Sequence, residues 1–179
     1  MTIGVIAAME LELENLLPAM EQVERETVSG ITFYKGKAFG KEIVAAVCGI
    51  GKVFAAMCAQ IMILRYQPDC IVNLGVAGSL LPDLHVFEIV AAEQLCQHDM
   101  DTSALGDPVG LVSGINRVYF PADETMVHLL GQCAEELGFL HRTGTIASGD
   151  QFIHTPEKKQ WIRETFGAAA AEMEGASVG

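Results

Sequence analysis

The sequence predicts an α/β fold, a single domain over residues 1–179 with a mixed, mostly parallel central sheet flanked by helices. Three observations predict it. Short β-rich apolar runs alternate with helix-length segments, the pattern of strands covered by helices. Half of the 179 residues are hydrophobic, which supplies a sizeable core. No Ser/Pro/Gly tract, long run of charge or internal repeat interrupts the chain, so no linker divides it.

Taken in order, the runs Thr2 to Ala7, Ile43 to Cys48, Cys70 to Leu74, Val86 to Ala92, Gly144 to Ala147 and Ala168 to Ala171 read as strands. Helices are expected at Glu10 to Met20, Lys52 to Tyr66, Asp123 to Leu137 and Pro156 to Thr165. The stretch Ile31 to Cys48 reads as an antiparallel hairpin turned at Gly40. The second helix is apolar around nearly its whole circumference, with only Gln60 breaking the run before Arg65. A helix without a polar face must be covered on all sides, and in a chain this short an oligomer interface is the expected cover.

Charge narrows the partners. With 23 acidic against 11 basic residues the net charge is -12, which repels phosphate backbones and anionic headgroups, so neither nucleic acid nor membrane is an expected partner. The first apolar run lacks a basic leader and is followed by Glu10, Glu12 and Glu14, unlike a signal peptide. No segment reaches the roughly 18 apolar residues a spanning helix needs. A cytoplasmic, soluble protein is the expectation. Five cysteines without CxxC spacing read as reduced core residues.

In an open α/β sheet the working residues lie just after the strands. On a helix from Glu10 to Met20, Glu12 falls among Met9, Leu13, Leu16, Leu17 and Met20, while Glu10 and Glu14 point outward. Glu12 is either a general base on an apolar face or a carboxylate bonded to free backbone amides. The glycine loops Gly49-Ile50-Gly51-Lys52 and Gly75-Val76-Ala77-Gly78 let a ligand approach backbone amides, or are plain strand-to-helix turns. His98, Asp99 and Asp101, adjacent on one loop without a second ligand group elsewhere, make a poor metal cage; no metal is expected, and the cluster reads as a hydrogen-bonded loop or interface. Asp150 reads as a loop-fixing carboxylate. Phe152 and Ile153 follow the Ser148-Gly149-Asp150 turn, where a ring stacks on a base or packs in the core. Glu172, Met173 and Glu174 end an alanine strand: two carboxylates and a thioether suit a sugar, or the acids simply open a helix.

In one order along the chain stand IGVIAAMELE, CGIGKVFAA, IVNLGVAG, HDMD, SGDQFI and AEMEG. That set resembles the methylthioadenosine/S-adenosylhomocysteine nucleosidases of the nucleoside phosphorylase superfamily, over essentially the whole chain. The resemblance implies hydrolysis of an N-glycosidic bond, without metal or organic cofactor, in a homodimer acting on a small adenine nucleoside. Glu12 matches the water-activating glutamate, Glu174 the ribose-binding one and Met173 the residue packed on the sugar, beside Glu172. Phe152 matches the ring stacked on adenine and Ile153 the backbone that reads its edge. Ala77 and Gly78 match the loop beside the nucleoside, and Ile50 an apolar wall near the ribose. Val76 departs, since many relatives carry a serine there. The loop Thr102 to Gly114 matches one that reaches toward a partner's site and is the expected source of selectivity at the 5′ end.

Relatives continue past the EMEGA segment through a helix, a strand and a loop whose aspartate protonates the leaving adenine, whereas this sequence stops at Gly179. The expectation is a domain lacking those elements and much less active for it. Two rivals remain at this level: a purine or uridine phosphorylase, disfavoured by three glutamates where phosphate would need cations, and a non-catalytic nucleoside-binding protein.

Overall fold

The apolar run Thr2–Ala7 forms β1, and it is flanked on both sides by parallel partners, β4 (Lys41–Val47) and β5 (Cys70–Asn73). The structure, a computed structural model, describes all residues 1–179 and resolves into two compact units, 1–76 with Val178 and 77–177 with Gly179.

In the first unit β2 (Glu21–Val28), β3 (Ile31–Ala38) and β4 run antiparallel, giving the sheet order β2-β3-β4-β1-β5. Two-residue turns join them, Ser29-Gly30 and Phe39-Gly40, with both φ angles positive in each turn. That geometry matches strand twist and favours glycine at the second place. The expected hairpin turned at Gly40 is therefore present. α2 (Lys52–Tyr66) lays Ala55, Cys58, Ala59 and Met62 on a core with Ile6, Phe33 and Val44. Its other side, with Val53, Phe54, Met57, Ile63 and Leu64, is exposed.

The expected helix from Glu10 to Met20 is not continuous. It divides into a 3-10 turn, Glu10–Leu13, and a four-residue α1, Leu16–Ala19. Pro18 explains the break: inside a longer helix it would lack a hydrogen bond and clash with the preceding turn, whereas three residues into a new helix it is tolerated. Glu10 and Glu14 are exposed, as their outward placement requires.

In the second unit β7 (Ile89–Gln97), β9 (His141–Ser148) and β10 (Ala168–Glu172) are parallel, with short antiparallel edges from β6 (Gly78–Ser79) and β8 (Tyr119–Pro121), in the order β6-β10-β9-β7-β8. α3 (Glu124–Glu136) starts where Asp123 accepts the Met126 N–H at 2.9 Å. α4 (Pro156–Phe166) has Pro156 in its first turn and ends at Gly167, φ 63°. Ile162 and Phe166 of α4 pack on the alanines of β10 and on Cys96 and Ala147.

The α/β class and mixed sheets hold, but the ten strands pair as two sheets of five where one central sheet is expected. β7 also lies later than Val86 to Ala92: Phe87 sits at φ 74° in the preceding loop, and Glu88 bonds Arg142 there. The cysteines need one correction. Cys48, Cys58 and Cys96 are buried and Cys70 half-buried, but Cys133 is exposed on α3, where the amphipathic helix turns it outward.

Candidate active site

Glu12 rides on the 3-10 turn after β1, half-buried, and its carboxylate is held by backbone amides alone. Oε2 accepts the N–H groups of Ala8 at 2.9 Å and Met9 at 3.0 Å, and Oε1 accepts that of Val76 at 3.1 Å. The geometry is that of the second reading, a carboxylate bonded to free backbone amides, which fix it in place. Room for it comes from Gly75. A Cβ there would stand 2.8 Å from Glu12 Oε1, so the loop after β5 can wrap the carboxylate only without a side chain at that position. Glu12 and Val76 are therefore brought together, with the Val76 side chain itself 74% exposed. Ile50 stands between Gly49 and Gly51, which both have positive φ, and its side chain is exposed.

The second unit gathers its candidates at the carboxyl ends of β9 and β10. Ser148, fully buried, donates its hydroxyl to Glu172 Oε1 and accepts the Ala176 N–H at 2.8 Å. Glu172 Oε2 accepts the N–H groups of Glu174 at 2.9 Å and Gly175 at 2.7 Å. The two strand ends are further joined by Gly149 N–H to the Glu172 carbonyl at 3.1 Å. Glu174 is buried, at 8% exposure, and Met173 half-buried. Beneath them burial, with the Glu172 charge adding, pushes the Cys96 thiol up to about 12.

Around this pair the loops are tightly set. His98 is buried against Gly149, whose Cβ would lie 2.4 Å from the imidazole. Asp99 Oδ2 accepts the Asp150 N–H at 2.8 Å, so a carboxylate of the His98-to-Asp101 cluster helps to fix the loop at Asp150. Asp101 accepts the Ser103 N–H at 2.9 Å, and its bonds to Ser103 hold its carboxyl below the usual range. Phe152 is 81% exposed, its ring near-parallel to that of His154 with centroids 6.5 Å apart, while Ile153 packs against the second unit's core. Gly78 pairs with Ala171 across β6 and β10, and Ala77 is exposed beside it. Ser148 and the backbone-binding role of Glu172 escaped sequence reasoning. The available signal was a small hydroxyl residue closing an apolar strand before glycine.

Comparison with known proteins identifies the family. The family model described as the phosphorylase superfamily matches residues 2–179. A curated aminodeoxyfutalosine nucleosidase from Campylobacter jejuni is 38% identical, the match covering 99% of this chain and 77% of the relative. A 5′-methylthioadenosine/S-adenosylhomocysteine nucleosidase from Oceanobacillus iheyensis is 37% identical, over 99% of this chain and 78% of the relative. Among solved structures, a mutant Helicobacter pylori nucleosidase with 5′-methylthioadenosine in its active site superposes with a TM-score of 0.94 at 36% identity, covering 99% of this chain and 77% of that one. With residues 2–179 matched by the family model, and with its fold and sequence shared with these relatives, the chain belongs to the phosphorylase superfamily.

Proposed function

We propose that the chain is a nucleosidase that hydrolyses the N-glycosidic bond of 5′-substituted adenine nucleosides, with methylthioadenosine and S-adenosylhomocysteine as first substrates. The observation that carries this is the state of Glu12. A carboxylate offers about four acceptor sites, and the three amides of Ala8, Met9 and Val76 occupy all but one. The site left on Oε1 is free to take the proton of an attacking water. The names of the curated relatives support the reaction type.

In this reading Glu12 activates water, and Glu174 accepts the ribose hydroxyls and adds negative charge beside the developing oxocarbenium ion. Met173 packs on the sugar, with Glu172 behind it. Phe152 stacks on adenine and Ile153 reads its edge through the backbone, while Ile50, Val76, Ala77 and Gly78 line the nucleoside. The test is product analysis of methylthioadenosine, S-adenosylhomocysteine and aminodeoxyfutalosine with and without phosphate. Adenine and a free sugar, formed at equal rates in both conditions, are expected. A sugar phosphate formed only with phosphate would replace hydrolysis by phosphorolysis.

The exposed apolar side of α2 supports a homodimer. Met57→Glu should shift the sedimentation of the protein from dimer toward monomer, and a wild-type monomer at micromolar concentration would refute the assembly.

A further inference from the structure

The partners of the Glu172 carboxylate all belong to the segment that carries Glu174 or to the strand end beside it. Oε2 takes the Glu174 and Gly175 amides, Oε1 takes the Ser148 hydroxyl, and Ser148 in turn takes the Ala176 amide. The peptide groups on either side of the Glu174 Cα are thus both tied to one side chain. Backbone angles decide which rotamers a side chain can adopt, so this grip also selects where the Glu174 carboxylate points. The fit is close: a Cβ on Gly175 would lie 3.3 and 3.4 Å from the two Glu172 oxygens. The same bonds satisfy the free amides of the 3-10 turn Gly175–Ser177.

We propose that Glu172, backed by Ser148, is a positioning residue for Glu174 and acts on the ribose only through it. This rests on reading Glu174 as the ribose-binding carboxylate. Carboxamide replacement at 172 brings an NH2 group to face either the two amides or the Ser148 hydroxyl, and one set of bonds is lost.

The test measures binding of methylthioadenosine and of adenine by calorimetry to the full chain, for wild type, E172Q, S148A, E174Q and the E172Q/E174Q double variant. E172Q should weaken methylthioadenosine about tenfold and S148A about threefold, with adenine unchanged, as expected for loss of charged or neutral hydrogen bonds. In the E174Q background E172Q should cost nothing further, because a residue that acts through another is silent once that other is gone. An equal cost in both backgrounds, or an equal loss on adenine, overturns the proposal. If wild type gains nothing from the ribose, the functional reading fails, and amide hydrogen exchange then decides the positioning alone. Exchange at Glu174 and Gly175 should be about tenfold faster in E172Q, and unchanged protection there overturns the proposal.

Discussion

The two units hold their carboxylates by different means. In the first, amides from two separate stretches close directly on Glu12, so the group proposed to activate water is itself the group that is gripped. In the second, the grip is on the neighbour: Glu172 takes the amides, and Glu174 is set through its backbone. A glycine of close approach stands beside each arrangement. At Gly75 an added Cβ would meet the far end of a flexible side chain, Glu12 Oε1, whereas at Gly149 it would meet a buried imidazole. The difference teaches where damage goes: displacement of the Glu12 carboxylate in the first case, loss of packing in the second.

The strongest way to break the comparison is at Glu12. Glu12→Gln keeps the shape and removes the base, and adenine release should fall by about 10²- to 10⁴-fold with adenine binding nearly intact. Full activity in that variant would remove Glu12 from the mechanism. Gly149→Ala should unfold at lower denaturant, by about 1–3 kcal/mol, because the His98 ring has no room to yield. A chemical-denaturation midpoint equal to wild type would contradict the packing read at that position. Gly75→Ala is the counterpart, with a denaturation midpoint close to wild type and a rate lowered about tenfold as the Glu12 carboxylate is pushed off its amides. If instead stability falls and rate holds, the two glycines act alike and the contrast is lost.

The smallest effect concerns thiols. Burial pushes Cys58 and Cys96 up to about 12, so both stay neutral in the folded chain while unfolded thiols ionise near their ordinary value. The shift is upward, so the stability it contributes is present below about pH 9 and is lost as pH rises toward 12. At neutral pH a thiol reagent should label the exposed Cys133 first and reach Cys58 and Cys96 only on unfolding. Labelling of Cys58 at the rate of Cys133 would show that the first unit opens readily.

Much of this was legible in the residues. β1 and α2 fall where periodicity places them, and the Phe39-Gly40 turn where glycine chemistry demands it. β2 was not legible, because EQVERETV carries no apolar alternation. It is an edge strand, mostly exposed, matched to β3 by pairs such as Glu24 opposite Lys35 and Glu21 opposite Lys37. β7 was displaced because its apolar start, Val86 and Phe87, lies exposed in a loop, while Gln94 is drawn into the sheet by its bond to Thr145. Glu12 could be chosen from its place after a strand, but its amide partner Val76 lies 64 residues away, a separation no local pattern encodes. Ser148 was hidden for the same reason, its partner being 24 residues on.

The sheet topology also sets an order of assembly. β2, β3 and β4 follow one another through two-residue turns, so their pairing closes only short loops. β7 must find β9 across β8 and α3, and β9 must find β10 across α4. Chain closure over long separations slows pairing, while hairpins form in roughly 1–10 μs. The meander of the first unit is therefore the early-forming part of the molecule. The strand ends that carry Ser148 and Glu172 come together only when the slower parallel pairing of β9 with β10 is complete, so the carboxylate of Glu174 is among the last features of the chain to take its place.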